Sequence, residues 1–428
     1  MTTFDKSAVT RRQVLASTAA VALAAGVVPQ AFAQEKVQLD FWDMIWGPPE
    51  YIDAAKALVA KFNAENPSIQ VEYRSIPWSD WYQTFLTAIG SGSAPDLSTG
   101  AGYQAVQLYD QGAIRAVDDL VEEMKASGDA DDFLPNTIDT LRYDDMYVAV
   151  PWGIDIRVWY YRKDLLEAAG VQPPKSWEEL RAAAKALTKD GVYGIVSAGD
   201  TGGSHYLYNA ILNNGGGLFT EDRQLDLRND ANMQAFQALA DMVKDGSVSP
   251  ASTGYNSDDK RAAFNRGEAA FMLDGPGAIA QAGDVADKIG IVEPMTGPAG
   301  EKGTIFWVNN IMVYEQTEHP EEVKTFLKWW SKNQLPLWTE GHCGQIPARK
   351  SISSDAYFTS NEPINYVIAN YVPVGKTTAT HASGIFPALN DVEGEGVMQS
   401  FAQELWQGQD LNAILDTAEG RLKSILGS

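Results

Sequence analysis

Between residues 37 and 113 the apolar period switches back and forth between two and about 3.6 residues. "VQLDFW" (37–42) reads as a strand. "GPPEYIDAAKALVAKFNAENP" (47–67) reads as a helix with Pro48 and Pro49 in its first turn, Ile52, Ala55, Leu58, Val59 and Phe62 on one face, and Asn66-Pro67 as its stop. "IQVEYRSI" (69–76) alternates as a strand does, Ser79 can cap a helix through "DWYQTFLTAIGSG", "DLS" (96–98) is a third strand and "YQAVQLYDQGA" a third helix. Such a repeat folds as an open, mostly parallel sheet covered by helices, an α/β architecture. The rhythm resumes after residue 150. Ser176 can cap "WEELRAAAKALTKDG", "VYGIVSAG" is a strand, and "MQAFQALADMVKDG", "EHPEEVKTFLKWWSKN" and "DLNAILDTAEGRLKSIL" are further helices. No repeat and no long Pro/Gly/Ser tether separates the two stretches, so two α/β lobes joined by strands are expected.

The chain opens with "TRRQVLASTAAVALAAGVVPQAFAQE". An apolar run from Val14 to Val28 is too short to span a bilayer, which needs about 20 residues, and suits a signal peptide with cleavage after Ala33 in "AFA". Thr10, Arg11, Arg12 and Leu15 fit the twin-arginine export pattern, although Val14 stands where that pattern prefers Phe; an ordinary secretory signal is the other reading. Export to the periplasm is the expectation either way. Cleavage leaves about 395 residues, enough for two domains. The formal net charge is −23. So acidic a chain repels phosphate backbones and anionic membrane surfaces, which argues against a nucleic-acid partner and suits a soluble monomer. Cys343 is the only cysteine, so an internal disulfide is ruled out.

Catalytic signatures are absent from the sequence. His205, His319, His342 and His381 fall in no H-E-x-x-H motif, and the adjacent His342-Cys343 pair would point to opposite sides of a strand. There is no G-x-S-x-G elbow and no phosphate-binding glycine loop; "GPAGEKGT" (297–304) has the wrong spacing for one. Chance pairs of carboxylates are certain in a chain this acidic, so they carry no weight toward a glycosidase. No metal or cofactor is called for.

Five stretches, in order, resemble the family 1 extracellular solute-binding proteins, the binding components of ATP-driven carbohydrate importers. They are "AKALVAKFNAENPSIQVEYRSI", "WYQTFLTAIGSGSAPDLSTG" with "YDQGAIRAVDDL", "VPWGIDIRVWYYRKDLLEAAGVQPPKSWEEL", "FNRGEAAFMLDGPGAI" and "GHCGQIPARKS". Arg162 replaces a usual Asn or Asp, and Gly277 stands where many members carry Trp. The resemblance implies a type II periplasmic binding protein fold with a ligand cleft between two lobes that close, and docking onto a membrane permease. Residues 34–150 plus 305–345 would form the N-terminal lobe, and 151–304 plus 346–428 the C-terminal lobe. The crossings would lie near Ala149–Trp152, Thr304–Trp307 and Gly344–Pro347.

A sugar site needs flat aromatic platforms for C–H faces and side chains with several hydrogen-bonding groups for hydroxyls. Of 12 tryptophans, Trp42, Trp46, Trp78, Trp81, Trp152 and Trp307 fall in loops or at strand ends. The resemblance places candidate ligand contacts at Asp43 and Trp46 after the first strand, at Tyr103 and Gln104 opening the third helix, and at Asp155 with Arg157 two residues on. A buried ion pair is the alternative for the last two. His205, with Tyr208 nearby, Asp274 and Gly275 in "LDGPG", Trp307, Asn309 and Asn310 on a crossing strand, and Arg349 complete the candidates. For Trp307 the alternative is core packing, and for Arg349 a latch between lobes. A small anion such as a polyol phosphate or sulfonated sugar is the second cargo reading, and a secreted carbohydrate-active enzyme the third.

Overall fold

The computed structural model describes residues 36–135 and 137–427; the leader expected at residues 1–33 lies outside them. Two sheets organise the described chain. The larger contains β1 (Val37–Met44), β2 (Ile69–Ile76) and β3 (Leu97–Gly100), each followed by a helix as expected. β1 pairs in parallel with β2 along its whole length, from Val37 opposite Ile69 to Met44 opposite Ile76, and with β3 on its other side. A two-stranded ribbon, β4 (Arg142–Tyr143) and β5 (Met146–Tyr147), precedes β6 (Val150–Ile156). The smaller sheet has the order β10 (Ile289–Ile291), β7 (Val158–Arg162), β9 (Ala269–Asp274), β8 (Tyr193–Val196). The chain returns to the larger sheet as β11 (Thr304–Val313), and β12 (Ile346–Pro347) and β13 (Gly375–Lys376) complete it.

The three segments expected to carry the chain between lobes are neighbours, in the order β12–β6–β11. Only Arg157 separates the end of β6 from the start of β7, so the chain leaves one sheet and enters the other through a single residue. This explains where the sheets depart from a mostly parallel plan. β7 continues from the first sheet and enters the second from the cleft side, so it runs antiparallel to β9, whose last residue, Asp274, faces the cleft. β11 is antiparallel to both β3 and β6. Parallel pairing remains at β1–β2, β1–β3, β8–β9 and the short β11–β13 contact.

Each sheet has its own interior. Phe41, Phe62, Phe326 and Trp330 meet edge-on or tilted at 4.9–5.7 Å in the first core, a geometry aromatic rings favour. The first helix, Pro49–Glu65, buries Tyr51, Ala54, Ala55, Leu58, Val59 and Phe62; Ile52 is only half-buried, at the margin of that stripe. The second interior takes in Trp159, Tyr206, Phe236, Phe401 and the C-terminal helix through Leu422. Ala348, Ile352, Phe358 and Ile364, which follow β12, pack into the first core. Ser176 caps its helix through Glu179 N–H as the sequence suggests. Ser79 does not cap: it donates to Asp80, which takes the cap position. Among the described residues no helix is long and apolar enough to cross a membrane.

Candidate functional site

A cavity of about 430 Å³ opens between the two sheets, beside the crossing strands. Its floor is set by strand register. Trp307 lies opposite Asp155, and Asn309 opposite Gly153, so one face of β11 and β6 looks into the space. The ladder slips between Asn309 and Asn310. Such a bulge re-aims side chains: Asn309 stays on the cavity and donates to Gln345 Oε1 at 3.0 Å, while Asn310 turns away and donates to the Ala101 carbonyl at 3.0 Å.

Arg157, at the joint between sheets, is the hub. Its guanidinium grips Asp155 through two parallel bonds, one of 2.9 Å, and its Nε–H donates to His205 Nδ1 at 2.9 Å. The bidentate pair is nearly buried, at 11% and 14% side-chain exposure, where charge-assisted bonds are strong. With Nδ1 accepting, the His205 ring proton sits on Nε2. Burial, then the nearby charges of Arg157 and Lys260, push this imidazole well below its ordinary range and keep it neutral. Trp307 lies under both groups, 5.1 Å from the Arg157 guanidinium carbon and 5.1 Å from the His205 ring.

On the wall from the second sheet, Asp274 receives Arg261 at 2.8 Å and Lys260 at 3.3 Å, and its carboxylate also accepts Gly275 N–H at 2.7 Å. Burial alone would raise this carboxyl, but Arg261, Lys260 and Arg157 hold it far below the usual carboxylate range. The opposite wall is aromatic. Trp46, Trp78 and Trp81 form an edge-to-face chain with centroids 5.0 and 6.1 Å apart. Trp46 also stacks on Trp152 at 4.7 Å and 22°, and Trp152 on Trp338 at 6.0 Å and 25°.

Of the residues singled out from sequence, Trp46, Asp155, Arg157, His205, Asp274, Gly275, Trp307 and Asn309 line this cavity. Asp43, Tyr103, Gln104, Asn310 and Arg349 do not, and each has a structural occupation instead. Asp43 is fully buried and accepts from Thr99, Tyr51, Tyr73 and the Trp46 indole N–H. It supports a cavity residue from behind. Tyr103 is core, its hydroxyl accepting from Thr378 N–H at 3.1 Å. Gln104 folds back on Ala101 N–H. Arg349, 2% exposed, is held by Ser331, Asp129 and Asp132 beside the first core and stacks on Phe133. A strand end fixes a residue's position, but the side of the strand it takes depends on register.

Sequence reasoning missed Asp200, Ser204, Ser257, Arg261, Gln345 and Glu393 as lining residues, and left Trp78, Trp81 and Tyr208 outside the site. The tryptophans carried a usable signal, being aromatic residues just beyond a strand. Glu393 had none, since it comes from a helix near the C-terminus. At Gly277 a Cβ would meet Gly344 Cα at 2.7 Å, so the tryptophan usual there could not be seated in this loop pairing. Burial pushes Glu393 up to about 7 and Asp43 up to about 6, each partly offset by its hydrogen bonds. Asp43, at an ordinary 3.8, is thus more protonated in the folded than in the unfolded state between about pH 4 and 6, and its contribution to stability declines as pH rises through that window. Asp43→Asn should remove from the unfolding free energy, measured by urea denaturation, a decline of on the order of 2 kcal/mol between pH 4 and 7. An unchanged slope would show that Asp43 titrates normally.

The bacterial extracellular solute-binding protein model matches residues 47–334. A sugar transporter protein of Arthrobacter chlorophenolicus A6, crystallised with laminaribiose, is 35% identical, superposes with a TM-score of 0.86, and is matched over 90% of this chain and 99% of its own. A putative binding protein of Brucella abortus (strain 2308) is 27% identical over 309 residues, 70% of this chain and 74% of that one. The sn-glycerol-3-phosphate-binding periplasmic protein UgpB of Brucella melitensis is 24% identical over 95% of this chain and 96% of its own. With the family model covering well over half its length, this chain belongs to the bacterial extracellular solute-binding proteins.

Proposed function

We propose that this protein is the substrate-binding component of an ATP-driven importer, and that it carries a neutral saccharide of about two rings. The observation that carries the reading is the cavity itself. Trp46, Trp78 and Trp81 stand on one wall and Trp307 with Tyr208 on the floor, while hydrogen-bonding groups with their charges already paired fill the space between. Laminaribiose in the Arthrobacter protein, a neutral disaccharide, is consistent with the chemistry of these walls.

The UgpB likeness raises the alternative of an organic phosphate. The charge inventory speaks against it. Arg157 and Arg261 are the cavity's cations, and both are engaged by carboxylates. Asp155, Asp200, Asp258, Asp274 and Glu393 also face the space. A dianion would meet excess negative charge in a low-dielectric setting. Calorimetric titration should give a micromolar or tighter Kd for laminaribiose and no heat for sn-glycerol 3-phosphate. The reverse result would overturn the neutral reading.

Export by the twin-arginine route, and lobe boundaries at β6 and β11, belong to the same proposal; the last boundary is placed after Ile364 rather than at β12, because Ala348, Ile352, Phe358 and Ile364 pack into the first core. Replacing Arg11 and Arg12 by lysine should block processing of the precursor; undiminished processing would leave a general secretory signal. Chemistry on the cargo is not part of the role. Laminaribiose kept with the pure protein for a day should be recovered intact, and released glucose would revive the enzyme reading.

A further inference from the structure

The Trp307 indole has a second support, at its N–H edge. Its Nε1–H lies 3.1 Å from each oxygen of Glu393, 86 residues further along the chain. Thr378 Oγ1 donates to the same carboxylate at 3.0 Å. Glu393 belongs to the helix Ala388–Gly394, and that helix has a second set of partners. Asn390 Nδ2 donates to Gln107 Oε1 at 2.6 Å, and Asp391 accepts from the Tyr82 hydroxyl and the Gln107 amide. Tyr82 and the neighbours of Gln107 belong to the first core, whereas Leu389 and Val392 of the helix belong to the second. One short helix therefore holds the aromatic floor of the cavity with one residue and bridges the seam between lobes with two others.

We propose that Glu393 is a positioning residue for ligand binding, which fixes the Trp307 platform and ties it through its helix to the seam at Gln107. This rests on the saccharide reading of the cavity. An indole held only by packing keeps rotamer freedom, and a ligand that stacks on it must first immobilise it. A carboxylate that accepts the indole N–H removes that freedom in advance, and a charge-assisted bond is stronger than a neutral one. Either protonation state of Glu393 keeps an acceptor oxygen within reach of Nε1.

The test uses Glu393→Ala, Glu393→Gln and Gln107→Ala in the full mature chain, with laminaribiose as the calorimetric probe. The Trp307 indole N–H resonance, assigned with Trp307→Phe, is read without ligand. Glu393→Ala should weaken laminaribiose about tenfold or more and move the resonance; Glu393→Gln, which keeps a neutral acceptor, should stay within about threefold. Gln107→Ala, whose side chain is outside the cavity, should move the same resonance and weaken binding about threefold. Wild-type affinity or an unmoved resonance in Glu393→Ala overturns the proposal, as does equal loss in Ala and Gln. If Glu393→Ala does not fold, an unmoved resonance in Gln107→Ala overturns it. If the wild type binds no laminaribiose, the saccharide reading fails by itself, and the ligand-free resonance still decides whether Glu393 positions Trp307.

Discussion

Asp274→Ala is expected to destabilise the protein by about 3–5 kcal/mol, the range for breaking a buried ion pair by removing one partner. Lys260 is 3% exposed in its side chain and Asp274 7%, and the Lys260 ammonium is paired with Asp274 and donates to the Leu273 carbonyl. Burial already pushes Lys260 below its ordinary range. Without Asp274, Lys260 loses its ion-pair partner, and Arg261, which is a third exposed, keeps only the exposed Asp258. Urea denaturation at pH 7 measures the loss, and a change under 1 kcal/mol would refute it. Lys260→Met combined with Asp274→Leu should recover much of the stability, because it removes the stranded charge as well as the pair. The pH behaviour has a definite sign. The folded-state pKa of Asp274 is depressed, so its stabilisation is present above the unfolded value near 4 and is lost as pH falls below it.

Arg157→Ala should weaken saccharide binding roughly 30- to 1,000-fold, an effect of about 2–4 kcal/mol typical of a central interface residue. Three cavity groups are oriented by this one guanidinium: Asp155 by two bonds, His205 through Nδ1, and Trp307 by stacking. Its loss leaves Asp155 as an unpaired carboxylate and frees the His205 ring to exchange tautomers. Arg157→Lys should rescue little. An ammonium has no planar fork for Asp155 and no second edge for His205. Calorimetry with laminaribiose tests both variants. Arg157→Ala within threefold of wild type, or full rescue by lysine, would remove Arg157 from the centre of the site.

The class of fold was legible because periodicity is a property of short windows. The period change across 37–113 announces strand and helix in turn, and the observed β1–β3 and their helices follow it closely. The candidate site was half legible, and the division is instructive. Asp155 and Arg157 sit two apart on an extended segment, so a shared side follows from strand geometry alone. Asp43 sits on the other side of a strand end, and whether that side meets the cleft or the lobe interior is decided by helices packed later. Asn309 and Asn310 differ because of a bulge, which no alternation rule foresees. Arg349 reads as a cleft residue by its position after the crossing, but it answers two aspartates 217 and 220 residues away in sequence. Glu393 and Gln107 are farther apart still in sequence, and only the folded chain brings them to one helix and its seam.

The column of Trp46, Trp152 and Trp338 has an optical consequence. Three indoles nearly parallel at 4.7 and 6.0 Å are close enough for their electronic transitions to mix, so they absorb and emit as a coupled set. One end of the column forms cavity wall and the other is embedded in the first core. The middle ring belongs to β6, a strand that runs on into the joint. A molecule seated against Trp46 should therefore perturb the whole set. The protein thus contains a built-in chromophore whose ultraviolet signature should report a molecule seated against Trp46, with no label attached.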